Sequence, residues 1–546
     1  MTLFGGFRRL LYYIQRIFLV FGMRNKILLV QPQQGSSGAF VRHIPLGLLY
    51  TSASLVKDGD PITIYDCRLN PRGWEEDLRG LIDSETLLVG ISVLSGTPVA
   101  EASKISSIVK GVDPQVNIVY GGPHATFNPE SILQNEPHAD YVVSGYGNDS
   151  FHGLVQRLKS GEPPTDVPGI VYRSTDGGIA ANPKVEEFEN IPYQDIPYDL
   201  IDNYDVYGHV GHDSRIFSMY SVLGCPYLCT FCSSPAQYRD IPGKKWVPLD
   251  VVNVVDHIEH VVDRYQANFV YFIDDDSFPN LKHVEGIMDE ISRRELKVKL
   301  GFRGARINEI KRMSDEFLGK LVKAGTNTIH VGAESGSDRI LKLIKKDCTA
   351  EDILECNRKL ARFPQMKTLY NFLMGVPTET IEELNATREL MLAIVRDHPN
   401  SIIGTPNRFR PLLNTELYDL ALEHDYVPPE SASEWETQEL EDASSLPWVD
   451  EKMKKLMDMM LVGSYFVDRK ATKVASGNTL VERGVRLIDQ LYGPIGRWRM
   501  RTGNTTFFIE LPIYRAANRL LKHLTPSFET NKPTLNTAET RAVMDY

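Results

Sequence analysis

Three cysteines fall within eight residues, in the run Gly224-Cys225-Pro226-Tyr227-Leu228-Cys229-Thr230-Phe231-Cys232. Cys225, Cys229 and Cys232 have the spacing C-x3-C-x2-C. Three thiolates this close on one loop suit a [4Fe-4S] cluster, which usually takes four Cys ligands. With no fourth Cys nearby, one iron is left open to a small molecule. The other cysteines, Cys67, Cys348 and Cys356, stand far away. Two rival readings fit less well. Zinc wants a fourth Cys or His at ligand spacing, and His209 and His212 lie well upstream. A disulfide with one thiol left over needs an oxidising compartment, whereas six cysteines, three of them clustered, suit a reducing cytoplasm.

Further candidates stand where apolar runs end. Phe269–Ile273 reads as a strand leading into Asp274-Asp275-Asp276-Ser277. Successive carboxylates repel one another unless donors or cations neutralise them. Helix capping and a metal site are the alternatives there. Gly301–Arg306 reads as the next strand, and Arg303 or Arg306 can hold a ligand carboxylate or form an ordinary salt bridge. Thr328–Ala333 runs into Glu334-Ser335-Gly336-Ser337, equally readable as a capped helix start. Asn371–Met374 runs into Gly375-Val376-Pro377.

The cysteine spacing, with Phe231 before the last Cys, resembles the radical S-adenosylmethionine (radical SAM) superfamily, and the other segments follow in the family's order. Pro411-Leu412-Leu413-Asn414-Thr415-Glu416-Leu417 departs from the family's Pro-x-x-Gly-Thr-x-Leu at Asn414, a residue that also tolerates positive φ. The resemblance implies that SAM chelates the open iron and is cleaved to a 5′-deoxyadenosyl radical, chemistry no side chain supplies. It implies SAM contacts at Asp274, Asp275, Arg303, Glu334, Ser335, Gly375 and Pro377. It also implies an external electron donor such as flavodoxin or ferredoxin.

The elements that must position these groups form two α/β units. Residues 26–160 alternate short apolar strands with helices, which predicts a doubly wound parallel sheet covered on both faces. Its strand ends carry Ser95-Gly96-Thr97, Gly121-Gly122-Pro123-His124-Ala125-Thr126 and Gly145, small residues that let backbone approach a ligand. Placed before a radical SAM core, this unit is similar to the cobalamin-binding domain of the cobalamin-dependent branch. The likeness implies cobalamin contacts at Ser95, Gly96, Thr97, Gly121, Gly122, Pro123, His124, Thr126 and Gly145. The Asp-x-His-x-x-Gly motif is missing, so His124 is not assigned as a cobalt ligand. Gly145-Tyr146-Gly147-Asn148 replaces the usual Gly-Glu-Gly-Glu. Residues 161–210 read as a linker, 211–425 as a partial (β/α)6 radical SAM barrel, 426–523 as a mostly helical domain and 524–546 as a disordered tail.

The first 23 residues contain Arg8, Arg9 and Arg16 and no acid, and Asp58 is the first acid of the chain. The segment 1–25 reads as a basic amphipathic helix lying at a membrane surface; a start at Met23 and a helix packed on the protein are the alternatives. The 546 residues carry a net charge of −11, so nucleic acid is not an expected partner. The expected location is the cytoplasm, with peripheral contact at the inner membrane face.

The family arrangement implies methylation of an unactivated carbon or phosphorus centre. Radical cyclisation, as in tetrapyrrole ring-forming relatives, is the alternative. A non-catalytic cobalamin or redox sensor would not need the open iron. A tRNA methylthiolase would need a second three-Cys set in the first unit, which has only Cys67. Arg and Lys interleaved with Trp498, Phe507, Phe508 and Tyr514 read, with the N-terminal stretch, as a basic, apolar surface for anionic lipid. That reading points to a membrane-associated enzyme with a hydrophobic or lipid-like small-molecule substrate; an ordinary helical subdomain with a solvated cationic face is the alternative.

Overall fold

The computed structural model describes residues 24–34, 43–184, 190–201, 204–207, 215–238, 243–437, 446–468 and 480–516. The amphipathic segment up to Met23 and the C-terminal tail lie outside these residues.

Short aliphatic runs build the first sheet from β1 (Lys26–Gln31), β2 (Ile62–Asp66), β3 (Thr86–Ser92), β4 (Asn117–Gly121) and β5 (Tyr141–Val143). These strands are parallel, in the order β2-β1-β3-β4-β5. Side chains alternate across a strand. Ile27 and Leu29 therefore join one core, and Leu28 and Val30 join another. Burial on both faces explains the uninterrupted apolar runs. Strand order reverses between β1 and β3, and ligands of such sheets bind beyond the carboxyl ends at that point.

The stretch expected as an extended linker is folded. β6 (Ile170–Arg173) and β7 (Ile179–Ala181) extend the first sheet antiparallel to its edge. Gly177, at φ 87°, serves their tight turn. Further on, Tyr198, Leu200, Tyr204 and Tyr207 are buried, and Tyr198 Oη lies 2.8 Å from His257 Nε2. The Pro- and acid-rich composition masked these evenly spread tyrosines, which fill the seam between the two units.

The second unit contains β8 (Ile216–Met219), β9 (Val222–Gly224), β10 (Trp246–Pro248), β11 (Phe269–Phe272), β12 (Lys299–Ala305), β13 (Thr326–Glu334), β14 (Lys367–Met374), β15 (Ile402–Ile403) and β16 (Asn407–Arg408). β9 and β10 form an antiparallel ribbon. The others are parallel in the order β8-β11-β12-β13-β14-β15, with β16 also on β14. Strands paired in sequence order with intervening helices keep the helices on one side, because crossovers are right-handed. The result is a partial barrel. Phe217, Met219, Val270, Phe272, Phe302, Val331 and Phe372 are wholly buried. Tyr271, Arg303, His330 and Asn371 alternate with them on the lumen face and are partly or largely exposed.

The C-terminal region is helical at Ala432–Thr437, Glu451–Val467, Leu480–Thr502 and 510–516. Its first helix packs on Thr97–Val112 of the first unit, and Glu451–Val467 packs on Ile381–Asp397 of the barrel. One hydrophobic core is continuous from Leu29 through Tyr204 to Phe302 and Met457.

Candidate active site

The cysteine loop leaves β9 at Gly224, whose φ of 77° turns the chain. Asp274, wholly buried at the end of β11, anchors the strand behind it. Its carboxylate accepts Ser221 N–H at 2.8 Å, Ser221 Oγ–H at 2.5 Å, Val222 N–H at 3.2 Å and Ser277 Oγ–H at 2.8 Å. Burial pushes its pKa up to about 6 against these donors. Asp274 thus organises the loop from beneath, whereas Asp275 beside it is exposed. The far side of the loop docks through Thr230. Its Oγ1 donates to the Leu343 carbonyl at 3.1 Å, and its carbonyl accepts Leu417 N–H at 3.0 Å. Asn414, at φ 65°, makes the turn that delivers Leu417.

The three thiols are partly exposed, and burial of their surroundings raises the pKa of Cys225 and Cys232. Among the described residues no three His, Cys, Asp or Glu side chains converge on a single-ion site. A four-iron cluster does not ask for convergence, since each thiolate binds a different iron, and a coordinated thiol is deprotonated by its metal.

Cationic and polar groups cluster around these sulfurs. Arg306 Nη1 donates to Cys229 Sγ at 2.7 Å, its guanidinium lies 4.1 Å from the Tyr227 ring centroid, and Nη2 donates to the Lys345 and Lys346 carbonyls. Tyr227 Oη donates to Glu309 Oε1 at 2.7 Å, and Glu309 Oε2 accepts Arg306 N–H. Burial and the neighbouring Glu309 carboxylate hold Asp276 far above its usual range. Lys346 and Glu334 form a buried pair at 3.1 Å. A Cβ at Gly332 would sit 2.3 Å from Glu334 Oε1, so glycine there makes room for the pair.

Glu334, at φ 63°, and Gly375, at φ 77°, stand at the ends of two neighbouring strands of the barrel. Gly375 N–H donates to Glu379 Oε2 at 2.6 Å, and its carbonyl accepts Trp448 Nε1–H at 2.9 Å. Pro377 is buried next to it. Ser335 is buried too, with its Oγ 3.2 Å from Thr387 Oγ1 and accepting Ser337 N–H; its hydroxyl serves the turn. Arg303 projects exposed into the lumen and makes no ion pair or hydrogen bond among the described residues. Sequence reasoning passed over Tyr227, Lys346 and His43. Tyr227 lies in the cysteine loop itself but is held by Arg306 and Glu309, and Lys346 reaches the loop through Arg306; these partners are distant in sequence, and no local spacing signals them.

In the first unit a cavity of about 170 Å³ opens at the carboxyl end of the sheet. Gly121, Gly122, Pro123 and Gly145 line it, with Gly47, Gly90 and Gly147 and the apolar Leu29, Val119, Val143 and Phe151. Its glycines and apolar side chains make a lining that fits an apolar part of a cofactor such as cobalamin. Ser95, Gly96, Thr97, His124 and Thr126 do not line it. His124 Nδ1 lies 2.9 Å from Ser95 Oγ, its ring meets Trp435 edge-on at 4.8 Å, and burial lowers its pKa to about 4. Thr126 Oγ1 accepts Gly145 N–H at 3.1 Å. Arg410 Nη1 donates to the Ser95 carbonyl at 2.9 Å, and a Cβ at Gly96 would lie 2.8 Å from that Nη1.

The two sites are neighbours. The short helix Pro123–Phe127, which follows the Gly121-Gly122 turn, touches the helix Ser233–Tyr238, which follows Cys232. A thiolate loop and a glycine-lined slot thus share one seam.

Comparison with known proteins agrees. The radical SAM superfamily pattern matches residues 219–391, and the B12 binding domain pattern matches residues 39–155. An uncharacterized methyltransferase of Pyrococcus horikoshii is 29% identical over 388 residues, covering 70% of this chain and 81% of the relative. An anaerobic magnesium-protoporphyrin IX monomethyl ester cyclase of Rubrivivax gelatinosus is 25% identical over 415 residues, covering 74% of this chain and 73% of the cyclase. The solved structure of the cobalamin-dependent S-adenosylmethionine radical enzyme OxsB, with aqua-cobalamin and SAM bound, superposes with a TM-score of 0.67 at 16% identity. It covers 96% of this chain and 78% of that one. With its thiolate loop, its partial barrel and its B12 binding domain, this chain belongs to the cobalamin-binding branch of the radical SAM superfamily.

Proposed function

We propose that the chain is a cobalamin-dependent radical SAM methyltransferase acting on an unactivated carbon or phosphorus centre of a small molecule. The observation that carries the reading is the contact between the helix after the glycine-lined slot and the helix after Cys232. When bound, the cluster and SAM supply a 5′-deoxyadenosyl radical, and cobalamin supplies a methyl carrier. Cys225, Cys229 and Cys232 would hold the cluster. Arg306 would donate to the Cys229 sulfur, and hydrogen bonds to sulfur are one lever on cluster potential. Asp275, Arg303, Glu334, Gly375 and Pro377 would face SAM, with Asp274 and Ser335 fixing the turns behind them. Gly121, Gly122, Pro123 and Gly145 would admit the cobalamin. The lumen wall, with Tyr271, Arg303 and His330, would hold the substrate.

Anaerobic reconstitution with iron, sulfide and hydroxocobalamin tests this. Methylation consumes SAM in two ways, giving both 5′-deoxyadenosine and S-adenosylhomocysteine. Cyclisation, the reaction of the Rubrivivax relative, gives 5′-deoxyadenosine alone. Cobalt in the chain together with both products supports the proposal. Iron without cobalt, and no S-adenosylhomocysteine, would turn it to cyclisation.

A flavodoxin- or ferredoxin-like protein would supply the electron. We further propose a hydrophobic substrate met at a membrane face, supported by the basic, acid-free N-terminal sequence. The contact we propose is peripheral; among the described residues no helix is long and apolar enough to cross a membrane.

A further inference from the structure

Large apolar side chains are exposed at fourteen described positions, and eight of them fall between residues 487 and 513. Leu487, Ile488, Leu491, Ile495 and Trp498 stand on the helix Leu480–Thr502, with Leu491 70% exposed. At 3.6 residues per turn they share an arc of about 100°. Phe507, Ile509 and Ile513 follow, Phe507 at 89% exposure. This stripe is not the side by which the helix is held to the protein. That side is occupied: Gly496 abuts Phe466, Met500 is wholly buried, and Arg499 pairs with Glu510 at 2.6 Å. A single stripe facing the core is the ordinary state of a surface helix, so the second stripe needs an occupant.

Charge selects that occupant. Residues 480–516 hold six arginines (483, 486, 497, 499, 501 and 515) against Glu482, Asp489 and Glu510, a surplus of three positive charges in a chain of net −11. Arg483 and Arg501 are exposed on the same edge of the stripe. A second copy docked two-fold on this face would set arginines against arginines. The N-terminal segment of the same chain is also basic and would be repelled in the same way. An anionic bilayer satisfies both the apolar stripe and its cationic edge, and Trp prefers that interface. We infer that the Leu487–Trp498 stripe with Phe507, Ile509 and Ile513 is the face by which the enzyme lies on an anionic membrane. The inference rests on the membrane-associated reading above and names its surface.

The full chain, reconstituted, is floated with phosphatidylcholine vesicles with and without phosphatidylglycerol. Wild type should float with the anionic vesicles only, and salt should weaken it. The triple variant Leu491→Glu, Ile495→Glu, Trp498→Glu should bind at least ~10-fold less, with unchanged SAM cleavage and thermal midpoint. Arg483→Gln with Arg501→Gln leaves the apolar stripe intact and should lower anionic binding several-fold; this pair also serves if the triple variant misfolds. Wild type that floats with neither vesicle overturns the membrane reading itself. Wild type that floats while both variants float equally well overturns only this face. A dimer in solution that the triple variant dissolves overturns it in favour of a second copy.

Discussion

The Nδ1 atom of His43 lies 2.6 Å from the Oγ of Ser218, joining the first unit to the opening strand of the barrel across 175 residues of sequence. The imidazole also stacks on Tyr271 at 5.9 Å and 14°. Arg68, held by Asp66, donates to the His43 carbonyl at 2.8 Å and fixes its backbone. Burial, with Arg68 and Arg303 adding to it, lowers the His43 pKa to about 4, so the ring is neutral at physiological pH. His43→Ala removes one hydrogen bond and a ring contact, at a cost of about 1 kcal/mol. Amide exchange over residues 43–50 should speed up while the thermal midpoint moves little. Unchanged exchange would mean that the helix Leu46–Lys57 alone holds the seam.

Replacing Cys225, Cys229 or Cys232 with Ala should cut iron content and abolish 5′-deoxyadenosine formation. Cys356 is buried with its thiol 3.5 Å from the Ile307 carbonyl, and Cys348 stands outside the loop. Their Ser variants should keep the cluster. Iron loss in either Ser variant would mean that the ligand set is wrong.

Asp274 and Asp275 are neighbours with opposite fates on mutation. Asp274→Ala leaves the Ser221 and Val222 N–H groups and two hydroxyls without their acceptor. Each buried orphan costs about 1–3 kcal/mol. Chemical denaturation should show a loss of several kcal/mol, and the cluster should not assemble. Asp275→Ala, at an exposed site, should change stability by no more than about 0.5 kcal/mol yet weaken SAM binding. Equal stability of the two variants would refute the anchoring role.

The cysteine loop was legible because its ligands are contiguous; the spacing alone carries the geometry. Both sheets were legible from apolar runs, since burial on two faces leaves no other pattern. The roles of Asp274 and Ser335 were not, because a strand-end carboxylate or hydroxyl looks the same whether it faces a ligand or the backbone behind it. His124 stands among ligand-like glycines, yet its ring is turned to Ser95 and to Trp435, which lies more than three hundred residues away in sequence. The β6–β7 hairpin was hidden because its Gly- and Pro-rich flanks read as a connector.

Gly121 borders the first-unit cavity, and a Cβ built there meets nothing within 4 Å. Gly121→Leu should therefore fold normally and fill the slot with its side chain. Cobalt content after reconstitution should fall at least ~10-fold while iron content stays, because burying such a side chain is worth about 1.5–3 kcal/mol that cobalamin would have to displace. Full cobalt occupancy in the variant would place cobalamin elsewhere.

Glu379 sits behind Gly375 with only 5% exposure; its Oε2 takes the Gly375 N–H, and its Oε1 finds no close hydrogen-bond partner among the described residues. Burial lifts its pKa to about 8, Gly375 N–H opposes the rise and Glu383 adds to it. The folded protein therefore prefers the protonated acid, while the unfolded chain ionises near the ordinary value of 4.5. The stability this preference gives is fully present below about pH 4.5 and is lost as pH rises through about 8, by up to roughly 1.4 kcal/mol per pH unit. Glu379→Gln keeps the shape and cannot ionise. Its thermal midpoint should fall less than that of wild type between pH 5 and about 8.5, and the two should diverge most at the alkaline end. Parallel curves would show that Glu379 is ionised in the folded protein, and that water or a cation reaches the strand end where SAM would lie.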